Sequence, residues 1–168
     1  MTSNSTRLSA SRDSGALAGG LGAGPHQQTS DDYYTPTWLF DQLGLTFDLD
    51  VACPVGGALW VPAHRYYTKI DDGLTSPWHG CVWMNPPYSK PQPWVTKWIN
   101  HNNGFALLPT NGGKWLKELW ESPAKGVFLG RLAFTRNGKQ NKNSPLNIVL
   151  WAIGHNNIEA LHKVGKPR

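Results

Sequence analysis

Residues Asn85, Pro86, Pro87 and Tyr88 follow an apolar run, and their chemical groups suit the recognition of a planar amine. The Asn85 amide oxygen and the Pro86 carbonyl can each accept a hydrogen bond from an exocyclic NH2 group, and neither proline has an N–H that would compete. Two such bonds would direct the nitrogen lone pair at an electrophilic carbon and stabilise the transition state more than the ground state. Tyr88 would supply a flat face on which a base stacks. The tetrapeptide therefore predicts methyl transfer to a ring-bound amine.

Two other interpretations of the tetrapeptide are open at this point, because Pro-Pro-Tyr also occurs in ordinary loops and in polyproline segments that dock on partner domains. The position in the chain favours a catalytic site. Residues 81–84 predict a buried strand, and open α/β sheets bind their ligands where such strands end in polar loops.

Several other chemistries find no support in the chain. Neither phosphate-binding fingerprint, G-x-x-x-x-G-K-S/T or G-x-G-x-x-G, occurs, so hydrolysis of a nucleoside triphosphate is disfavoured. The six histidines have no metal-ligand spacing, and no Ser-His-Asp arrangement stands out, so we expect no metal site. Cys53 and Cys81 are too few for a disulfide framework, and we expect both to be reduced.

Carboxylates upstream of the tetrapeptide are candidate ligands for a nucleoside cofactor. Asp48 and Asp50 alternate along one predicted strand, so their side chains project to the same face. A carboxylate at the end of that strand, beside the Cys53 loop, could bind ribose hydroxyls or an amino group, and Asp50 is the favoured one. Asp71 or Asp72 could act similarly one strand over, or could form the turn before the next glycine.

The net charge of +5 is unevenly placed, because the acidic residues gather before the tetrapeptide and the basic residues after it. This division suits a protein that binds a polyanion with one region and a cationic small molecule with the other, although a solvated lysine surface is the alternative. Residues 135–146 are the leading candidate for nucleic-acid contact, against a simple hairpin connection. The nucleic-acid candidates are Arg131, Arg136, Lys139 and Lys142.

The 168 residues suffice for one domain. Residues 1–30 are rich in Ser, Gly, Thr and Ala and predict a mobile tail, residues 31–160 predict the domain, and residues 161–168 predict a basic C-terminal tail. No run of apolar residues is long enough for a membrane span, and the start lacks the regions of a signal peptide. We therefore expect a cytoplasmic protein in a bacterium or a phage-infected cell.

The predicted elements alternate between helices and strands. Thr35 predicts an N-cap with Pro36 as the first helical residue and Gly44 at the helix end. Further helices are predicted at 93–101 and 114–120, and strands at 47–51, 66–70, 81–84, 105–108, 127–134 and 147–153. This alternation predicts an α/β fold with a largely parallel sheet covered on both faces.

The order of these motifs resembles the phage-encoded DNA N6-adenine methyltransferases of the Dam-like type, over residues 32 to 151. The motifs are Asp32-x-Tyr34-Thr35-Pro36-x-x-Leu39-Phe40, Phe47-x-Leu49-Asp50-Val51-Ala52, Tyr67-Thr68, Asp72-Gly73-Leu74, Trp78, and Val82-Trp83-x-Asn85-Pro86-Pro87-Tyr88-Ser89. Weaker pieces are Leu108-Pro109, Gly130-Arg131 with Phe134, and Ser144-Pro145.

The resemblance implies a Rossmann-like class I methyltransferase fold that uses S-adenosylmethionine, with helices on both faces and a C-terminal antiparallel strand pair. Asn85, Pro86 and Tyr88 would meet the target base. The usual F-x-G-x-G loop is absent and is replaced by residues 50–54. The residues we assign to the cofactor side are Thr35, Pro36, Asp48, Asp50, Ala52, Cys53, Asp71 and Asp72.

We therefore expect methyl transfer to N6 of adenine in DNA, on a base that is flipped out or single-stranded, since N6 is paired and stacked in a duplex. Two alternatives keep the chemistry and change the acceptor to adenine in RNA or to a glutamine amide in a protein. A third is a DNA-binding protein that has this fold and no catalysis, because a fold does not prove an activity.

Overall fold

The computed structural model describes residues 34–57, 60–136, 139–141 and 146–167. The predicted tail at residues 1–30 lies outside this range. The elements of the described residues are α1 (Thr37–Leu43), β1 (Phe47–Asp50), β2 (Ala63–Tyr66), β3 (Val82–Met84), α2 (Gln92–His101), β4 (Gly104–Pro109), α3 (Lys114–Glu121), β5 (Lys125–Arg131), β6 (Phe134–Arg136), β7 (Lys139–Asn141), β8 (Asn147–Ile153) and α4 (His155–Leu161). None of these helices is long and apolar enough to cross a bilayer.

Six strands form the main sheet in the order β2-β1-β3-β4-β8-β5, and β6 and β7 form a separate hairpin. The neighbouring pairs among β2, β1, β3 and β4 are parallel, whereas β8 is antiparallel to both β4 and β5. All strands of this sheet except β8 therefore end at one edge, which we call the carboxyl edge, and begin at the other, the amino edge. The predicted α/β class is confirmed as a mixed six-stranded sheet.

Two clusters of buried side chains hold the sheet. One contains residues of α1 and α4, and the other contains residues of α2 and α3. Side chains of β3 divide between them, since Trp83 lies in the first cluster and Val82 and Met84 lie in the second. All three are almost wholly buried, so β3 is a fixed support for the tetrapeptide that follows it.

The start of α1 differs from the prediction by one residue. Pro36 is the N-cap, and no side chain caps the helix, so the predicted cap at Thr35 is wrong. The predicted end is confirmed: Gly44 takes the left-handed conformation, with φ 61° and ψ 35°, which costs a glycine little. Thr35 is instead buried, with 4% of its surface exposed, and its hydroxyl contacts the tetrapeptide.

The second strand also differs, because β2 spans Ala63–Tyr66 and residues 69–71 form a turn. The aromatic and apolar residues at 66–70 have the composition of a strand, which is why the prediction placed one there. The observed strand, β2, is a largely exposed edge strand, and its residues need no apolar pattern. The predicted strand at 127–134 is divided into β5 and β6, with residues 132–133 between them. The predictions omit α4, whose polar start, His-Asn-Asn, gives no apolar periodicity.

Candidate active site

The tetrapeptide lies at the carboxyl edge, directly after β3. Asn85, Pro87 and Tyr88 are half-buried and Pro86 is buried, so the loop is neither sealed in the interior nor fully exposed to solvent. The backbone turns after it, where the Lys90 N–H donates to the Pro87 carbonyl at 3.4 Å. A rigid strand followed by a half-buried polar loop places the Asn85 amide at the surface in a fixed direction.

Two hydroxyl groups orient the Asn85 amide. The Nδ2 atom of Asn85 donates to the Oγ1 atom of Thr35 at 3.4 Å, and the Tyr88 hydroxyl donates to the Oδ1 atom of Asn85 at 3.0 Å. The Tyr88 hydroxyl is also 3.3 Å from the Leu107 carbonyl on β4. An amide oxygen can accept two hydrogen bonds, so the bond from Tyr88 is compatible with a second one from a substrate amine.

Asp50 ends the neighbouring strand and is the buried carboxyl group of the site. Only 4% of its surface is exposed, its Oδ1 atom accepts from the Ala52 N–H at 3.1 Å, and the Cys53 thiol also donates to it. Burial raises the pKa of Asp50 to about 7, against the lowering effect of these two bonds. The group is therefore poised between its neutral and charged forms near neutral pH.

The ends of β1 and β3 are directly connected. Asp50 is paired with Trp83, and the Val51 N–H donates to the Trp83 carbonyl at 3.0 Å. Asn85 follows Trp83 by two residues, so Asp50, at the end of β1, and Asn85, in the loop directly after the adjacent parallel strand β3, lie at the same edge. The residues that the fold brings to this region are Thr35, Pro36, Asp50, Ala52, Cys53 and Asn85 to Tyr88.

Asp48 does not join this group. Its Oδ2 atom accepts from the Cys81 N–H at 2.7 Å, and Cys81 precedes β3 at the amino edge. Alternation along a strand predicts that Asp48 and Asp50 point to the same face of the sheet. It does not predict that both side chains reach the carboxyl edge. Burial and, less strongly, the negative charge of Asp48 raise the pKa of the Cys81 thiol to about 11, which favours the protonated thiol at neutral pH. Cys53 and Cys81 are both free of disulfides.

Asp71 and Asp72 lie in the loop after β2, where they form turns. Asp71 accepts from the N–H and the hydroxyl of Thr68, each at 2.8 Å, and these bonds lower its pKa. Asp72 accepts from the Leu74 N–H at 3.1 Å and has a positive φ of 49°. Both residues are exposed. Their hydrogen bonds are local ones that form turns, as in the second of the two predicted interpretations.

The ammonium group of Lys97, on α2, holds this loop and was missed in the sequence. It donates to the carbonyls of Gly73, Leu74 and Ser76 at 3.1, 2.7 and 2.6 Å, and lies 4.8 Å from the Trp78 ring centroid. Gly73 is so close to the end of β1 that a Cβ would collide with the Val51 carbonyl. Lys97 thus fixes a loop that packs against Val51, the residue after Asp50. The sequence does place Lys97 three residues after Trp94, which puts both side chains on the same face of α2. That spacing could have indicated that Lys97 contacts the rest of the protein.

Replacement of Lys97 by methionine is expected to lower the free energy of unfolding by about 2–3 kcal/mol, because charge-assisted bonds to three carbonyls are lost. Urea unfolding measures this change. Lys117→Met is the matched control, since Lys117 is exposed and makes a single 3.6 Å ion pair with Glu121. That control should change stability by less than about 0.5 kcal/mol. Equal effects of the two variants would contradict the clamping role.

The basic candidates lie near the same edge, as far as the structure describes them. Arg131 is exposed at the end of β5, and Arg136 and Lys139 belong to the β6–β7 hairpin, which connects β5 to β8. Lys142 lies outside the described residues. Sequence reasoning did not assign Lys90 and Lys114 to the site, yet both are exposed and follow β3 and β4. Their proximity to strand ends was the available signal.

No group of three or more His, Cys, Asp or Glu side chains within the described ranges is placed to hold a metal ion.

The mixed sheet, with its polar loops at the carboxyl edge, fits a methyltransferase-like α/β protein. The family described as DNA N-6-adenine-methyltransferase (Dam) matches residues 24–159, which is more than half of the chain, so the chain belongs to this family of enzymes. A DNA N-6-adenine-methyltransferase of Haemophilus phage HP1 (strain HP1c1) is 29% identical over 138 residues, which cover 72% of this chain and 78% of the phage protein. No solved structure matches significantly. The predicted family and the predicted enzyme class, an adenine-specific DNA methyltransferase, are confirmed.

Proposed function

We propose that the protein transfers the methyl group of S-adenosylmethionine to N6 of a flipped or single-stranded adenine in DNA. One observation carries this proposal. The Asn85-Pro86 pair of acceptors lies at the end of β3, and the buried Asp50 lies at the end of the adjacent strand, β1. An amine acceptor site and a carboxylate suited to a cationic cofactor are thus neighbours at one edge.

We further propose a Rossmann-like class I methyltransferase arrangement with helices on both faces. The support is the division of the core, in which α1 and α4 share one cluster and α2 and α3 share the other. The proposed C-terminal antiparallel pair corresponds to β5 and β8, with Lys125 opposite Ala152 and Arg131 opposite Asn147. In such a sheet the ligands bind outside the carboxyl ends of the parallel strands.

The residues proposed to hold the cofactor are Thr35, Pro36, Asp50, Ala52 and Cys53. S-adenosylmethionine supplies, when bound, an electrophilic methyl group on a positively charged sulfur. Asp50 fits such a ligand because a nearby cation or hydroxyl donor favours the charged form of a buried carboxyl group. Asp71 and Asp72 stay candidates for binding the cofactor, from the loop that Lys97 holds against the end of β1. Asp48 is left out of the proposed cofactor site.

On the substrate side, we propose that the Asn85 amide oxygen and the Pro86 carbonyl accept the two N6 hydrogens. These bonds are strongest when the nitrogen becomes tetrahedral and positive, so they favour the transition state. The nitrogen lone pair would form the new bond to the methyl carbon as the bond from that carbon to sulfur breaks and leaves a neutral thioether, and one N6 proton would pass to water. We propose that the ring of Tyr88 stacks on the adenine while its hydroxyl holds the amide of Asn85.

Methylated nucleosides test this function directly. The protein is expressed in cells that lack adenine methylation, and digested DNA and RNA are analysed by mass spectrometry. N6-methyladenine in DNA is the expected product. Methylation confined to RNA or to protein glutamine would establish the acceptor alternatives and overturn the proposal for DNA. Absence of any product, together with absence of S-adenosylmethionine binding by calorimetry, would favour a non-catalytic DNA-binding protein.

Arg131 is proposed to contact a DNA phosphate, and a matched pair of variants tests this role. Arg131 and Lys125 are exposed residues at opposite ends of β5, so each change to glutamine removes one positive charge from a different edge. Arg131→Gln is expected to weaken DNA binding and to reduce the salt dependence, the slope of log K against log salt, by about one. Lys125→Gln should leave this slope unchanged. Equal slopes for the two variants, measured by fluorescence anisotropy, would rule out a specific contact at Arg131.

A further inference from the structure

The hydroxyl of Thr35 has a role that its position before α1 does not suggest. It makes no capping bond with the helix. Thr35 is buried, with only 4% of its surface exposed. Its hydroxyl accepts a hydrogen bond at 3.4 Å from the side-chain amide of Asn85, which lies 50 residues later in the chain. A buried hydroxyl with this partner links the segment before α1 to the loop after β3.

The direction of the Asn85 amide decides whether the proposed site can work. Its two ends differ only in being an oxygen or an NH2 group, and a rotation of about 180° exchanges them. In the rotated state, the NH2 of Asn85 would face the NH2 of adenine, and two donors would meet. Thr35 accepts from the nitrogen end, and Tyr88 donates to the oxygen end at 3.0 Å. Because a hydroxyl can donate as well as accept, the two contacts fix the plane of the amide, and the observed arrangement places its oxygen beside Tyr88.

We infer that Thr35 is a positioning residue that fixes the plane of the Asn85 amide for contact with the target amine. This inference rests on the proposed function and deepens it. It gives Thr35 an action through Asn85 that is separate from any contact with the cofactor. The Tyr88 hydroxyl has a single proton and its shorter contact is with Asn85 rather than with Leu107, so the same arrangement holds both ends of the amide.

Thr35→Val and Thr35→Ser form the matched pair, since valine keeps the shape and loses the hydroxyl, and serine keeps the hydroxyl. Single-turnover methylation at saturating S-adenosylmethionine is expected to slow about 10-fold to 100-fold in Thr35→Val, because a misplaced catalytic group loses rate. Thr35→Ser should restore the rate to within a few fold. Calorimetry fixes the saturating S-adenosylmethionine concentration for each variant, so the compared rates contain no effect of cofactor affinity.

Two results at saturating S-adenosylmethionine would overturn the inference: an unchanged rate in Thr35→Val, or an equally slow Thr35→Ser. Thermal unfolding establishes that each variant is folded, and Thr35→Ala replaces the valine variant if that one is not.

A second measurement does not depend on activity. The side-chain amide of Asn85 is assigned in a nitrogen–proton NMR spectrum by its loss in Asn85→Ala. Its resonances should shift or broaden in Thr35→Val and stay in place in Thr35→Ser. Unmoved resonances in Thr35→Val would overturn the inference even if the protein methylates another acceptor. Conversely, an inactive protein whose resonances respond to Thr35→Val would overturn the proposed function while leaving the Thr35–Asn85 contact established.

Discussion

Replacement of Asn85 by alanine is expected to reduce methyl transfer to adenine about 100-fold to 1,000-fold, which is the usual effect of removing one preorganised group that stabilises a transition state. The fold should persist, because Asn85 is only half-buried and β3 is held by Val82, Trp83 and Met84. Transfer of a tritiated methyl group to adenine-containing DNA measures the rate. Binding of S-adenosylmethionine should be nearly unchanged.

Asn100→Ala is the control for this variant. Asn100 is an exposed residue of α2, so its loss removes an asparagine amide without touching the carboxyl edge. The control should keep full activity. A rate in Asn85→Ala that equals the rate of this control would exclude Asn85 from the chemistry.

The affinity for S-adenosylmethionine is expected to rise as the pH increases through about 7, the raised pKa of Asp50. Below that pH the carboxyl group is neutral, and above it a carboxylate is available to attract a cation, so binding releases a proton when the free group is protonated. Asp50→Asn should remove this pH dependence. At pH 8 it should also weaken binding by about 30-fold or more, the usual effect of losing one partner of a buried charge pair.

Calorimetry at several pH values, in buffers of different protonation enthalpy, measures both the affinity and the proton release. Asp41→Asn is the control, because Asp41 is an exposed residue of α1 and its change should leave the affinity profile intact. A pH profile of Asp50→Asn that matches the profile of the unchanged protein would remove Asp50 from the cofactor site.

The same carboxyl group has an effect on stability with a defined sign. Its pKa is higher in the folded protein, about 7, than its ordinary value of 3.8. The folded state therefore binds the extra proton between these two values, and stability falls as the pH rises through that window, by at most about 1.4 kcal/mol per pH unit. Urea unfolding between pH 4 and 8 should show this fall, and Asp50→Asn should flatten it. The asparagine keeps an oxygen that can accept from Ala52.

Local sequence predicted the elements that deliver the site better than the contacts within it. The bounds of β8 and the end of α1 at Gly44 agree with the prediction, and β3 begins only one residue later than predicted. Each of these depends on an apolar run or on a single residue with a strong backbone preference. The position of Asn85 after a buried strand follows from the same local pattern.

The partners of the site residues could not be read in this way. Thr35 meets Asn85, and Lys97 meets Gly73, across 50 and 24 residues respectively. Such contacts depend on which strands become neighbours, and a hydroxyl or an ammonium group gives no local sign of its partner. Asp48 is a further example. The sequence showed that it lies two residues before Asp50, but not that its partner would be the Cys81 N–H at the amino edge.

The reversed direction of β8 has a consequence for which part of the chain can vary in length. Because β5 and β8 are antiparallel neighbours, the chain leaves and re-enters the sheet at one place, and the β6–β7 hairpin is an excursion from it. Its length and composition can be altered without changing the registers of β1, β3 or β4. The segment between β5 and β8 can therefore change in length while the strands that lead to Asp50 and Asn85 keep their pairing.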